Sequence, residues 1–330
     1  MKKSTLMPLT GALAAGLLTL TACGATDADT PEAGGSEEAA GGGEWSDCTP
    51  GAESAEVDLA SDENTDITIG AFNGWDESFA AAHLTKYALE EDGYSVSIES
   101  FDAGPAFTAV AGGDIDFVMD GWMPITHEDY LEQYGDQLET AGCWYDNAKL
   151  TIAVNEDSPA QSIADLAEMS DEYGGTLYGI EAGAGLTRVT EDEAIPTYGL
   201  EDWNFAVSST PAMLAQLKSS TEAGDNVAVT LWRPHWAYDA FPVRDLEDPE
   251  GAMGEAETIF NFARPGFAED NPQVTQLLKN LVIDDENLAS LENVMFSEEN
   301  YGGEDLDGAV EEWVGDNEQF VEDWKAGALG

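Results

Sequence analysis

The run Ile67-Thr68-Ile69-Gly70-Ala71-Phe72-Asn73-Gly74-Trp75-Asp76 decides the fold. Its first six residues form an apolar run of strand length, Asn73-Gly74 is turn chemistry, and Asp76 opens a helical pattern that continues to Glu91. Asp76 is the expected N-cap, because its carboxylate can accept an orphan backbone N–H of the first turn. The same hand-over recurs twice around a tryptophan. A strand pattern over 115–119 runs into Gly121-Trp122-Met123-Pro124-Ile125-Thr126-His127, and one over 227–231 runs into Trp232-Arg233-Pro234-His235-Trp236. Residues just past strand ends in an open α/β sheet lie where such folds take ligands. Three indoles meeting there would form a box of π-faces suited to a cation that cannot donate hydrogen bonds, such as a quaternary ammonium. Most tryptophans serve a core or an interface instead, and spacing alone leaves both readings open.

The rest of the chain alternates in the same way. Strands are expected at 66–72, 94–100, 115–119 and 149–154, with helices over 76–91, 106–111 and 126–134, the last capped by Thr126. A second series has helix 162–169, strand 176–180, a helix from Leu186, strand 205–208, helix 211–220 and strand 227–231. Residues 258–262 read as a returning strand, and the tail as helices 271–281, 285–295 and 305–324. The alternation argues for parallel-rich sheets. Two series joined by a crossing strand and a return strand predict an α/β fold of two lobes, of the periplasmic-binding (type II, Venus-flytrap) kind, with a cleft between them. Lobe I is expected to take 52–152 with 257–330, and lobe II 153–256.

The N-terminus bears on location. Lys2 and Lys3 precede a short apolar stretch, 6–20, which ends in Leu20-Thr21-Ala22-Cys23. A charged n-region and a short h-region read as an export signal, and the ending looks like a bacterial lipobox with Cys23 as the lipidated first residue. Residues 1–22 are therefore expected to be a signal peptide. Residues 23–51, mostly Gly, Ala, Glu, Asp, Thr and Ser, are expected to be a flexible tether that cannot bury a core. About 280 residues remain, enough for two lobes. The expected place is extracytoplasmic, at the cell membrane through a lipid anchor only. With Cys23 acylated, Cys48 and Cys143 are an even pair in an oxidising compartment, either bridged or left as thiols.

Composition narrows the partners. Net charge is −56, and loss of Lys2 and Lys3 with the leader leaves 67 acidic against 9 basic residues. Nucleic acid is not expected as a partner, since phosphate binding needs basic clusters. The acidic surface reads first as a solubility device. His83, His127 and His235 show no metal spacing, and there is no H-E-x-x-H, C-x-x-C, G-x-S-x-G or P-loop. No metal, no cofactor and no enzymatic activity are expected. An exported glycan-acting hydrolase is the remote alternative, although carboxylates are so abundant here that an acidic pair discriminates nothing.

Four stretches resemble the substrate-binding proteins of glycine betaine and proline betaine (compatible-solute, quaternary ammonium) ABC transporters. They are Phe72-Asn73-Gly74-Trp75-Asp76-Glu77-Ser78; Asp102-Ala103-Gly104-Pro105 with the W-x-P-x-T-H of Trp122 to His127; the glycine-rich turn Gly179-Ile180-Glu181-Ala182-Gly183-Ala184-Gly185-Leu186; and the W-x-P-H-W of Trp232 to Trp236. The similarity runs from Ile67 to Trp324. One departure is Leu231, where a glycine commonly precedes the last tryptophan.

The resemblance implies a site. Trp75, Trp122 and Trp232 would be three walls of an aromatic prism around the ammonium group. Gly185 and Leu186 would be main-chain donors, and His127 a side-chain donor, to a carboxylate. His235 and Trp236 would shape a turn, with Tyr145 and Tyr238 nearby. The protein would be the monomeric, extracytoplasmic solute receptor of an ABC importer, delivering a small zwitterionic or cationic osmoprotectant to its permease subunits. A choline or carnitine receptor of the same class is the alternative. Choline lacks the carboxylate and would call for an acceptor in the pocket wall, Asp76 or Asp120.

Overall fold

The structure, a computed structural model, describes residues 48–330. The expected signal peptide, the lipidation at Cys23 and the tether up to residue 47 lie outside the described residues. Nine strands are present among the described residues: β1 Asp66–Phe72, β2 Ser95–Phe101, β3 Phe117–Met123, β4 Glu139–Asn155, β5 Thr176–Tyr178, β6 Asn204–Ala206, β7 Ala228–Arg233, β8 Val243–Asp245 and β9 Glu257–Ala263. They join in the order β2-β1-β3-β9-β4-β7-β5-β6, with β8 also on β4.

The strand that organises this order is β4. From Glu139 to Ala148 it pairs antiparallel with β9, and from Lys149 to Val154 it pairs antiparallel with β7. One continuous strand is thus shared by two half-sheets. In the first, β1 runs parallel to β2 and β3; in the second, β5 runs parallel to β6 and β7. The two parallel series expected from the alternation are present, and the antiparallel strands β4 and β9 lie where the chain crosses and returns. The architecture is α/β and two-lobed, of the periplasmic-binding kind. β8, three residues long, is too short to carry a readable period and was not anticipated.

Several boundaries differ from expectation, each for a physical reason. β3 and β7 continue through Trp122 and Trp232 instead of stopping short of them. In β3 this is possible because Gly121 carries no side chain: a Cβ there would lie 2.2 Å from the Phe262 ring, so β9 could not come alongside. Asp76 is the first residue of the helix Asp76–Glu90 and Trp75 its N-cap; the Asp76 carboxylate accepts the indole N–H of Trp236 instead of capping. The third helix spans Glu128–Tyr134, because the Thr126 hydroxyl donates to Glu257 and leaves His127 at the cap position. Ser162 precedes the short helix Ile163–Leu166 in a reciprocal capping box with Asp165. The tail helix expected over 305–324 is two, Leu306–Asp316 and Glu318–Ala326, parted at Asn317, whose side-chain amide donates to the Trp313 carbonyl. Among the described residues no helix is long and apolar enough to cross a membrane.

Cys48 and Cys143 are joined by a disulfide with their Cα atoms 6.1 Å apart. It ties the first described residue to β4 across 95 positions of sequence. Closing so long a loop restricts the unfolded chain, so its reduction is expected to cost about 2–5 kcal/mol of stability. Thermal melts with and without a thiol reductant measure this, and coincident curves would argue against a bridge.

Candidate functional site

A narrow cavity of about 20 Å³ lies between the half-sheets, lined by Trp75, Glu77, Trp122, Thr126, Leu150, Ile180, Leu186 and Trp232. The three indoles expected to converge do so. Trp75 follows β1, Trp122 belongs to β3 and Trp232 to β7, and all three are buried. Alternation along a strand explains how the last two reach one place: Gly121 faces Phe262 across the sheet, so Trp122 points to the opposite face. Leu231 is fully buried one position before Trp232, and its side chain in place of the common glycine leaves Trp232 in the wall.

His127 is buried against two of the walls. Its ring stacks on Trp75 with centroids 5.5 Å apart. Its Nδ1 accepts the backbone N–H of Trp122 at 2.9 Å. Acceptance at Nδ1 puts the proton of the neutral imidazole on Nε2, which is buried and has no hydrogen-bond partner among the described residues. Burial, helped by the nearby Arg188 cation, pushes His127 down to about 3, so at neutral pH it is an uncharged Nε2–H donor. His127 braces the walls and is not itself among the residues that line the cavity.

The loop before His127 is locked from below. Glu257 at the start of β9 accepts the backbone N–H groups of Ile125 and Thr126 at 2.7 and 2.9 Å, and the Thr126 hydroxyl. Against this loop presses the helix Gly185–Val189. A Cβ on Gly185 would lie 2.0 Å from the Thr126 carbonyl oxygen, so only glycine allows the approach. Three further contacts draw the same segments together. Arg188 Nη2 donates to the Ile125 carbonyl at 2.7 Å, Arg188 Nε lies 3.4 Å from Asp129, and the Tyr130 hydroxyl donates to the Gly183 carbonyl at 2.9 Å. Leu186 lines the cavity and Gly185 does not. As the first residues of that helix, both carry backbone N–H groups with no acceptor inside it.

Other residues singled out from the sequence lie elsewhere. His235 Nδ1 accepts the Ala237 N–H at 3.0 Å and its ring meets Trp232 edge-on, which shapes the turn after β7. The Tyr145 hydroxyl donates to Asp285, and the Tyr238 hydroxyl is engaged with Thr151 and Asp245, so neither lines the cavity. Asp76 and Asp120, the acceptors proposed for a choline-type wall, do not line it either: Asp76 holds the Trp236 indole N–H, and Asp120 that of Trp122 at 2.7 Å. The wall carboxyl is Glu77, which the sequence reading passed over together with Thr126, Leu150 and Ile180. Burial pushes Glu77 well above the ordinary carboxylate range, Asp120 and Glu292 add to that, and the Trp232 indole N–H opposes it. Its position two residues after Trp75, in the first turn of a helix that begins at a wall, is the signal that could have found it.

Residues 65–316 match the family described as the substrate binding domain of ABC-type glycine betaine transport systems. The glycine betaine/carnitine transport binding protein GbuC of Listeria monocytogenes is 33% identical over 162 residues, 48% of this chain and 52% of that protein. The matched segment thus spans about half the length of that relative. Among solved structures, lactococcal OpuAC in its closed-liganded conformation with glycine betaine has a TM-score of 0.73 at 26% identity, covering 79% of this chain and 99% of the other. An ABC-transporter choline binding protein in complex with choline has a TM-score of 0.70 at 26% identity, covering 80% and 92%.

Proposed function

Because the chain belongs to the family of substrate-binding domains of ABC-type glycine betaine transport systems, we propose that it is the extracytoplasmic solute receptor of such an importer and that it takes glycine betaine or a close quaternary ammonium relative. The observation that carries this reading is the convergence of Trp75, Trp122 and Trp232 on one buried cavity. A trimethylammonium group has no N–H to donate, so water-excluding π-faces are the surface that recognises it. In this reading the solute's carboxylate meets the backbone N–H of Leu186 in the wall and, once the walls part to admit the solute, the N–H of Gly185 and the Nε2–H of His127 behind it. Residues 52–152 with 257–330 would move as one lobe and 153–256 as the other. Cys23 would carry the lipid that keeps the receptor, a monomer, beside its permease subunits.

One observation favours a second reading, a choline receptor. Glu77 lines the cavity and has an unpaired carboxyl oxygen, which could accept the hydroxyl of choline. Calorimetric titration of both solutes into the wild type and His127→Ala separates the two. Loss of a charge-assisted hydrogen bond should cost glycine betaine about 1.5–3 kcal/mol, or roughly 10- to 100-fold in Kd, and choline much less. An equal loss for both in a folded variant would remove His127 from the carboxylate. Tighter binding of choline by the wild type would replace the betaine reading.

A further inference from the structure

The cavity wall continues inward into a set of buried carboxyl groups. Glu77 lies in the first turn of the helix Asp76–Glu90, Asp120 in β3, and Glu292 in the helix Asp285–Phe296. None of the three is more than 1% exposed, and Asp76 flanks them at the half-buried edge. They act on one another: Asp120 and Glu292 both oppose ionisation of Glu77, and Asp76 and Asp120 oppose that of Glu292. Glu77 is the member that reaches the cavity, and its Oε2 makes no hydrogen bond among the described residues.

Among the described residues no Lys or Arg acts on this set. The ion pairs among the described residues all lie elsewhere. From the turn and helix after β7 come Asp239, which adds to the push on Glu292, and the indole N–H of Trp236, which binds Asp76. From β4 comes Tyr145, whose hydroxyl Glu292 helps keep protonated. His127 and His235, beside the tryptophans, are both pushed by burial down to about 3 and carry no charge at neutral pH. No group of three or more such side chains among the described residues is placed to hold a metal ion. Carboxyl groups buried together without a compensating cation cannot all ionise, so the free protein retains at least one proton here.

A quaternary ammonium entering the cavity brings a fixed positive charge to the Glu77 wall. It can compensate a carboxylate but cannot hydrogen-bond to it, so its effect is to lower the cost of ionisation. We propose that capture of the solute's cation expels a proton from the Glu77–Asp120–Glu292 set, so that solute binding and proton release are linked. This rests on the quaternary ammonium reading of the cavity. The balance is simple: a carboxyl O–H breaks, the proton passes to water, and the carboxylate left behind faces the ammonium group.

The sign follows from the free protein. Burial raises Asp120 to about 7, with the indole N–H of Trp122 opposing, and holds Glu77 and Glu292 well above their ordinary range. The proton is therefore present at and below neutrality, and affinity should rise with pH, by up to about tenfold per pH unit for one whole proton. Calorimetric titration of choline and of glycine betaine into the wild-type protein, from about pH 6 to about pH 8 and in buffers of different ionisation enthalpy, counts the protons directly. Release is expected with both solutes and should be larger with choline, since the carboxylate of betaine itself opposes ionisation of Glu77. Glu77→Gln and Asp120→Asn should flatten the pH profile and reduce the count. Binding with heats independent of buffer and affinity flat across that range would overturn the linkage while leaving the solute reading intact. Binding of neither solute would overturn both.

Discussion

Gly185→Ala is expected to weaken solute binding at least about 100-fold, or about 2.7 kcal/mol. The added methyl would sit 2.0 Å from the Thr126 carbonyl oxygen and 2.7 Å from its carbon, and these are backbone atoms that cannot swing aside. The Thr126 loop is fixed by three hydrogen bonds to Glu257, so the helix Gly185–Val189 must retreat. With it go the Leu186 wall and the free backbone N–H groups of the helix start. Propensity alone predicts the opposite, because alanine in a helix is favoured over glycine by about 1 kcal/mol. A variant that melts no lower than the wild type yet has lost glycine betaine binding would identify the close approach as the cause. Unchanged affinity would show that the two segments need not touch to hold the solute.

Trp122→Ala is expected to have the next largest effect, because Trp122 does three things. Its face is one wall of the cavity, its indole N–H holds Asp120, and its bulk fills the space between β3 and the neighbouring strand ends. Removing the π-face should cost about 1–2 kcal/mol of solute binding. Removing the bulk should cost about 3–5 kcal/mol of stability. Trp122→Phe separates the parts, since it keeps an aromatic face and drops the N–H. It should recover part of the affinity while leaving Asp120 without that donor. If the folded alanine variant binds glycine betaine as tightly as the wild type, Trp122 is no part of the cage.

How much of this was legible in the sequence depends on how local the determinant was. β1 was read to the residue, because an apolar run bounded by Asn73-Gly74 carries its own limits. β4 was expected over 149–154 and spans Glu139–Asn155. The missing part has register shifts at Thr140/Cys143, Cys143/Tyr145 and Tyr145/Ala148, and each one breaks the two-residue period that a sequence reading looks for. The three wall tryptophans stand out in the sequence because each follows a strand pattern and lies within two residues of a glycine or proline. Of the buried carboxyl groups, Asp120 was named only as an alternative acceptor and Glu77 is marked only by its place two residues after Trp75. With 67 acidic residues, nothing about Glu292 in sequence marks it as one the fold encloses.

The division of the walls across β4 has a consequence for delivery. Trp75, Trp122 and the Thr126 loop hang from the strands on one side of that shared strand, while Trp232 and Leu186 hang from those on the other. If the halves move as the proposed lobes, a bend near Ala148–Lys149, where β4 changes partner from β9 to β7, would dismantle the box and withdraw the helix-start donors in a single motion. A solute held this way would have no partly held state to linger in. Its residence time would be the waiting time for that bend, and a partner that pries the halves apart would unload it without offering a better site.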